Sequence, residues 1–330
     1  VIELELATKS ANIIQKYQAG EDIDLTRALE EAQETAKVQL DRRVNIPWIQ
    51  DSILDLLVQE EDHRGFKWRL ECLRQSMRPV RPGDFGVIAA RPDVGKTSFF
   101  TDQLSYMAPQ LDEVYPGEDR QILWFNNEGP GKRIVQRLYQ STLNARISEL
   151  LARKAAGTIV EDYVKAIGAV DRIRILDIHG MWNYEIVDIM LTMRPGIVVF
   201  DMIDNIKFGG DAAGARTDEK LEAMYQWARC LGVRFDCVVF ATSQISNEGD
   251  GLQYPTLGML KDSKTGKQGA SDFQLMIGKS NDPNMRSSRF LSLPKNKLNQ
   301  EGFDKDPRQE VIFDELRGRF YMPEGTGGIV

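Results

Sequence analysis

An apolar run, Phe85-Gly86-Val87-Ile88-Ala89, leads into Ala90-Arg91-Pro92-Asp93-Val94-Gly95-Lys96-Thr97 and then Ser98-Phe99-Phe100. The order predicts a buried strand, a tight loop and a helix, which together make a phosphate-binding loop. In such a loop the backbone N–H groups and the helix N-terminus face an anion, the lysine reaches the β- and γ-phosphates, and the next hydroxyl can ligate Mg²⁺. Nucleotide contacts are therefore expected from Ala90, Arg91, Pro92, Asp93, Val94, Gly95, Lys96, Thr97 and Ser98, with Thr97 on the metal. Ala90 stands where the usual pattern has its first glycine, a small residue that still lets backbone approach phosphate.

Beyond this loop, apolar runs alternate with helical stretches. Gln121-Ile122-Leu123-Trp124-Phe125, Ile173-Arg174-Ile175-Leu176, Gly196-Ile197-Val198-Val199-Phe200 and Cys237-Val238-Val239-Phe240-Ala241 read as strands, with helices near 99–108, 131–154, 183–193 and 218–231. The alternation predicts an α/β fold with a largely parallel twisted sheet flanked by helices. Chemistry in such sheets gathers at the carboxyl ends of strands. Polar residues stand there: Glu128, Asp201 with Asp204 nearby, and Ser243 with Gln244. Asp201 suits a carboxylate holding Mg²⁺ through its water shell, with Asp204 as its competitor. Glu128 suits a base that orients and deprotonates the water attacking a γ-phosphate. Gln244 offers an amide that can sense that phosphate.

Composition bounds the rest. With 42% apolar and 28% charged residues in 330, a sizeable core is available, and two domains or one large domain with appendages fit the length. No apolar run is long enough to span a bilayer, and Val1-Ile2-Glu3-Leu4-Glu5 lacks the basic opening of a signal peptide, so a cytoplasmic protein without a membrane partner is expected. Cys72, Cys230 and Cys237 make no CxxC pair; a disulfide scaffold or zinc site is disfavoured and buried thiols are expected. His63 and His179 read as surface or loop residues.

The net charge of −7 is unevenly placed. Residues 1–62 hold 14 Asp/Glu and 6 Lys/Arg, a balance of −8, so the remainder is close to neutral. Binding to nucleic acid depends on local potential and is not excluded by such a body. The acidic segment also differs in pattern. Leu25, Ala28, Leu29, Ala32, Ala36 and Leu40 recur at helical spacing within 24–43, giving one narrow apolar stripe that must dock on its own body or on a neighbouring subunit. A second helix carrying Ile53, Leu54, Leu56 and Leu57 follows Asn45-Ile46-Pro47. The expected division is an N-terminal helical arm, 1–62, and a motor domain, 63–330.

From about residue 65 to 320 the chain resembles the DnaB-like replicative helicases, whose motors are RecA-like P-loop NTPases. The matching stretches are 81–97, Asn127-Glu128-Gly129-Pro130, Val198-Val199-Phe200-Asp201-Met202-Ile203-Asp204, Ala241-Thr242-Ser243-Gln244-Ile245 and 260–272. The resemblance implies an ATP- or other NTP-driven DNA helicase, a homo-oligomer with six subunits, nucleotide and Mg²⁺ at each subunit interface and single-stranded DNA in the channel, with primase or polymerase as candidate partners. It gives Glu128 the role of base, Asp201 that of Walker B acid and Gln244 that of sensor. The segment 247–268 looks like the DNA-binding loop, with Lys261, Ser263, Lys264 and Lys267 as candidate contacts; its glycines and lysines also suit phosphate binding. The loop 205–216 is a weaker candidate for the channel.

Two departures matter. After Arg289-Phe290-Leu291-Ser292-Leu293, which reads as a strand, the family has a lysine and, two residues later, an arginine finger that enters the neighbour's site. Here those positions are Lys295 and Lys297, so Arg286, Arg289, Arg317 or Arg319 are alternatives for the finger. The arm does not resemble the family's globular N-terminal domain but the linker helix by which one motor grips the next, as in a minimal phage or plasmid helicase working in a host cytoplasm. A recombination ATPase of RecA type and a nucleotide-gated DNA scaffold remain open on the residues alone.

Overall fold

The computed structural model describes residues 2–40, 52–61, 64–209, 216–260 and 264–324. Nine strands among the described residues form one sheet: β1 (Phe85–Ala90), β2 (Gln121–Asn126), β3 (Ile173–Asp177), β4 (Pro195–Asp201), β5 (Val238–Gln244), β6 (Phe273–Gly278), β7 (Ser288–Asn296), β8 (Gln309–Asp314) and β9 (Arg319–Tyr321), in the order β3-β2-β4-β5-β1-β6-β7-β8-β9. The first six run parallel and the last three extend the sheet antiparallel. The expected, largely parallel α/β sheet is present and the strand read over 289–293 is β7, whereas β6, β8, β9 and the antiparallel course of the wing were not foreseen.

Strands β1, β4 and β6 are buried along their whole length because helices cover both faces. On one face Trp68, Phe99, Phe100, Trp124, Phe240 and Phe273 make the largest aromatic cluster. On the other, Phe85, Phe125 and Phe200 pack with Tyr225 of the helix Thr217–Arg234. Gly86 is a glycine for want of room: a Cβ there would lie 2.3 Å from the Phe273 ring.

The helical stretch foreseen over 131–154 is two helices, Gly131–Leu143 and Ile147–Ala156. Asn144, left-handed at φ 49°, ends the first with its N–H on Gln140 and Ser141 carbonyls, as Asn does readily at a C-cap. In the arm, Ile2–Gln18 and Leu25–Leu40 pack against each other, and the latter rests on the body of its own chain. Arg27 pairs with Asp188 at 3.0 Å and lies over the Tyr184 ring, Asp22 pairs with Lys207 at 2.7 Å, and Ala32 and Ala36 are buried. The third helix is Ile53–Glu61. None of the described helices is long and apolar enough to cross a membrane.

Of the cysteines, Cys72 and Cys237 are buried as expected, whereas Cys230 is exposed. His63 lies outside the described residues; His179 is exposed, with Nε2 3.3 Å from the Gly129 carbonyl.

Candidate nucleotide site

Strand register brings the motif residues to one edge. Ala90 closes β1 beside Gln244 of β5 and Ile277 of β6, and Asn126 of β2 lies beside Asp201 of β4. The loop that leaves β1 turns through Asp93 at φ 59° and Gly95 at φ 115° before the helix Lys96–Met107 begins. A side chain at Gly95 would meet the Phe313 ring tightly, at 3.3 Å, in a backbone conformation that L-residues avoid, so the turn requires glycine. The loop is held from two sides. Arg91 Nη1 donates to the Ile245 carbonyl at 3.1 Å, and Arg289 Nε donates to the Val94 carbonyl at 2.6 Å.

Lys96 is buried, its Nζ 3.5 Å from the Ser243 carbonyl and 3.6 Å from Met202 Sδ. Burial pushes its ammonium below lysine's usual range, while Asp201, Glu128 and Asp204 hold it up. Asp201 is also buried and accepts from Thr242 Oγ1 at 3.0 Å; burial raises its carboxyl, against the pull of Lys96. Three carboxylates and a second lysine, Lys267, thus act on Lys96, leaving the site one formal charge more negative than its two lysines offset. Such a site takes a polyphosphate together with a divalent cation more readily than a bare anion.

The loop after β2 carries Glu128 into solvent. It is pinned at its base: the Asn127 N–H donates to the Asp201 carbonyl, Asn126 Nδ2 donates to Asp177 Oδ1 at 2.6 Å, and Asp177 Oδ1 also accepts the Gly131 N–H at 2.9 Å. Gln244, half-buried, ends β5 beside the first loop residue. Thr97 and Ser98 open the helix; Ser98 is buried and Thr97 partly exposed. Among the described residues no cluster of three or more His, Cys, Asp or Glu could by itself hold a metal. The oxygen donors at hand, Thr97 and Asp201, suit Mg²⁺ only where phosphate oxygens and water complete its shell.

Other expected residues lie apart. Lys295 lies near the end of β7 and Lys297 just past it; because β7 runs antiparallel to β6, Lys295 pairs with Gln274 and the Lys297 N–H donates to the Asp272 carbonyl, towards the end of the sheet away from the phosphate loop. Neither lies beside the phosphate loop of its own chain. Lys297 is exposed, while Lys295 is half-buried and its ammonium is pushed down by burial and by Lys297. Of the alternative fingers, Arg289 is fully buried against its own loop, Arg317 pairs with Asp314 and Glu149, and Arg319 donates to the Ser141 carbonyl; only Arg286 is exposed.

Lys261 and Ser263 lie outside the described residues, as does the side chain of Lys264. Lys267 does not match the expected DNA contact. Its side chain has no exposed surface and its Nζ pairs with Asp204 at 2.7 Å, so in this conformation it cannot meet a strand. In the loop 205–216, Lys207 is engaged by Asp22 of the arm and 210–215 are not described.

Sequence reasoning missed Arg289 as a loop strut and Asp177 as the anchor of the Glu128 loop. A charged residue opening an otherwise apolar strand was the available signal for the first. The second left none beyond its place at a strand's carboxyl end.

A family model described as an AAA domain, AAA_25, matches residues 54–250, more than half of the chain. The chain belongs to this family. The chain is similar in sequence to the replicative DNA helicase DnaB of Mycoplasma genitalium, 24% identical over 212 residues that cover 61% of this chain and 44% of that protein. The match therefore spans less than half the length of that relative. Among solved structures, the ATPase domain of one DnaB-like replicative helicase superposes with a TM-score of 0.64 at 20% identity, covering 84% of this chain and 100% of that one. A second DnaB-like replicative helicase, solved in a study of its interactions with primase, gives 0.63 at 18%, covering 98% of this chain and 78% of that one. The AAA domain thus has the fold of the RecA-like P-loop ATPase domains of DnaB-like helicases, and its phosphate loop marks it as a nucleotide-binding domain.

Proposed function

We propose that the protein is an ATP- or NTP-hydrolysing ring helicase that moves along single-stranded DNA and unwinds duplex during replication. The observation that carries this reading is the convergence of Lys96, Asp201, Glu128 and Gln244 at one sheet edge, in a fold shared with DnaB-like helicases. Lys96 binds the β- and γ-phosphates, Glu128 orients and deprotonates the attacking water, and Gln244 reports the γ-phosphate. Mg²⁺, held by Thr97 and through water by Asp201, would neutralise charge on the phosphates. The active form is a homo-oligomer of six, in which Lys297 of one subunit completes the site of the next, since it stands towards the end of its own sheet away from the phosphate loop. Primase or polymerase are the candidate protein partners, and the place of action is the cytoplasm in which the DNA is copied.

The test is hydrolysis by the full chain with and without single-stranded DNA, followed by strand release from a forked duplex. Hydrolysis that DNA stimulates, with unwinding, supports the reading. Hydrolysis without unwinding, under conditions where the oligomer forms, overturns the helicase assignment and leaves a nucleotide-driven switch.

A further inference from the structure

Lys267 sits in the short helix Lys264–Ala270, yet its charge is engaged by residues at the sheet edge. Its Nζ pairs with Asp204 Oδ2 at 2.7 Å, donates to Ser243 Oγ at 3.2 Å and lies 5.3 Å from the centre of the Tyr225 ring. Asp204 is three residues beyond Asp201, in the turn Ile203–Asn205. Ser243 directly precedes Gln244, and its carbonyl is the oxygen 3.5 Å from Lys96 Nζ. One serine thus touches two lysines, its backbone facing the phosphate-loop lysine and its hydroxyl facing Lys267. The electrostatics agree, since Lys267 is among the charges acting on Lys96.

The segment that leaves β5 is anchored at this same place. Ile245 bridges Leu260, and the Ser246 N–H donates to the Met259 carbonyl at 2.7 Å, so residues 247–258 form a loop closed at its root one residue past Gln244. After the loop, the helix bearing Lys267 brings the chain back to Ser243. Both ends of this excursion are therefore tied within two residues of Gln244. A buried ammonium is retained only where it is paired, and removing one partner strands the other. The Lys267–Asp204 pair therefore holds the helix and the turn after Asp201 in one fixed relation.

We propose that Lys267 is a positioning residue that couples the DNA-facing segment to the nucleotide site, transmitting a shift of its helix to Asp204 and Ser243 and so to the hydrolytic groups beside them. The inference rests on the helicase reading, because it requires that DNA act on that segment. It predicts a specific defect, loss of the response to DNA out of proportion to loss of hydrolysis. A merely structural residue would depress turnover with and without DNA alike.

The experiment measures turnover of the full chain with saturating oligo(dT) and without it, and reads the ratio. Lys267→Met should lower that ratio roughly tenfold, within the usual range of a coupling between sites. Asp204→Asn should act in the same direction, and the double variant should be no worse than the worse single one, because both substitutions cut one link. Should Lys267→Met fail to fold, the neutral pair Lys267→Met/Asp204→Asn leaves no stranded charge and is read on the same ratio. A wild-type ratio in Lys267→Met, or in the neutral pair, overturns the proposal. So do defects that multiply in the double variant, since the two residues would then act separately. If the wild-type chain hydrolyses nucleotide but ignores oligo(dT), the helicase reading itself has failed and this inference goes with it.

Discussion

Arg289 donates its Nε–H to the carbonyl of Val94 across 2.6 Å, so a residue of β7 holds the phosphate loop from behind. The guanidinium is fully buried, gives Nη1 to the carbonyls of Arg286 and Ser288 at 2.9 Å, and lies 5.0 Å from the centre of the Phe313 ring, which packs against Gly95. Burial lowers its pKa, with Glu315 opposing. Arg289→Met should leave the Val94 carbonyl without its donor, at a cost of about 1–3 kcal/mol of stability. A loop loosened in this way should bind nucleotide less well, so KM should rise severalfold while kcat changes less. Thermal unfolding and steady-state kinetics check both. A stability loss with KM unmoved would make Arg289 a residue of the fold alone.

Lys96 and Glu128 should separate binding from chemistry. Lys96→Ala removes the charge that meets the phosphates and should abolish hydrolysis while circular dichroism stays that of the folded protein. Glu128→Gln, on an exposed loop whose base is pinned by Asp177, should keep nucleotide affinity while turnover falls on the order of a hundredfold or more. Loss of nucleotide binding in Glu128→Gln would point to a structural part for that loop.

The half of the fold that carries chemistry was legible because its signals are local. Buried parallel strands read as unbroken apolar runs, and the loop between β1 and its helix declares itself by Gly95-Lys96-Thr97. In the wing β7 was legible from its apolar run, but β8 and β9 were not, since they are short, half-buried and mixed in pattern. The helix Ile2–Gln18 escaped notice for a similar reason: most of its described side chains are exposed, so no strong stripe marks it. The burial of Lys267 was not legible because a lysine among glycines reads as solvated, whereas it is buried against Asp204, 63 residues away in the chain. Sequence spacing cannot report a partner at that distance.

Asp102 should give the protein an unusual pH term. Its side chain has no exposed surface, and burial lifts its carboxyl to about 6 despite Arg69 at 2.8 Å and Arg319 at 3.7 Å. In the unfolded chain the same group titrates near 3.8. Between these values the folded state binds the extra proton, so stability from this group is fully present below 3.8 and is lost as the pH rises through about 6. A shift of this size corresponds to about 3 kcal/mol. Denaturant unfolding of the wild type and Asp102→Asn across this range should show the variant gaining on the wild type as pH rises, then a constant difference. A gap that is flat or closes with rising pH would show that the arginines, not burial, set this carboxyl.

Lys297 supplies the sharpest test of assembly, because its position makes a prediction that no residue of its own site can imitate. Lys297 follows the end of β7, beside the start of β6 and across the sheet from Ala90 and Gln244, so in the proposed ring it acts on hydrolysis in another subunit. Lys297→Ala alone should nearly abolish turnover while single-stranded DNA still binds. Lys297→Arg should be at least as active as the wild type, since a planar fork meets transition-state phosphate oxygens better than an ammonium does. Mixing Lys297→Ala subunits with Glu128→Gln subunits then decides the geometry. Each contact in which an intact Glu128 meets an intact Lys297 regains a working site, so two nearly inactive proteins should give activity that peaks at intermediate mixing ratios. Well-mixed oligomers that stay inactive at every ratio would show that Lys297 does not act across the interface, and would return the finger's role to exposed Arg286.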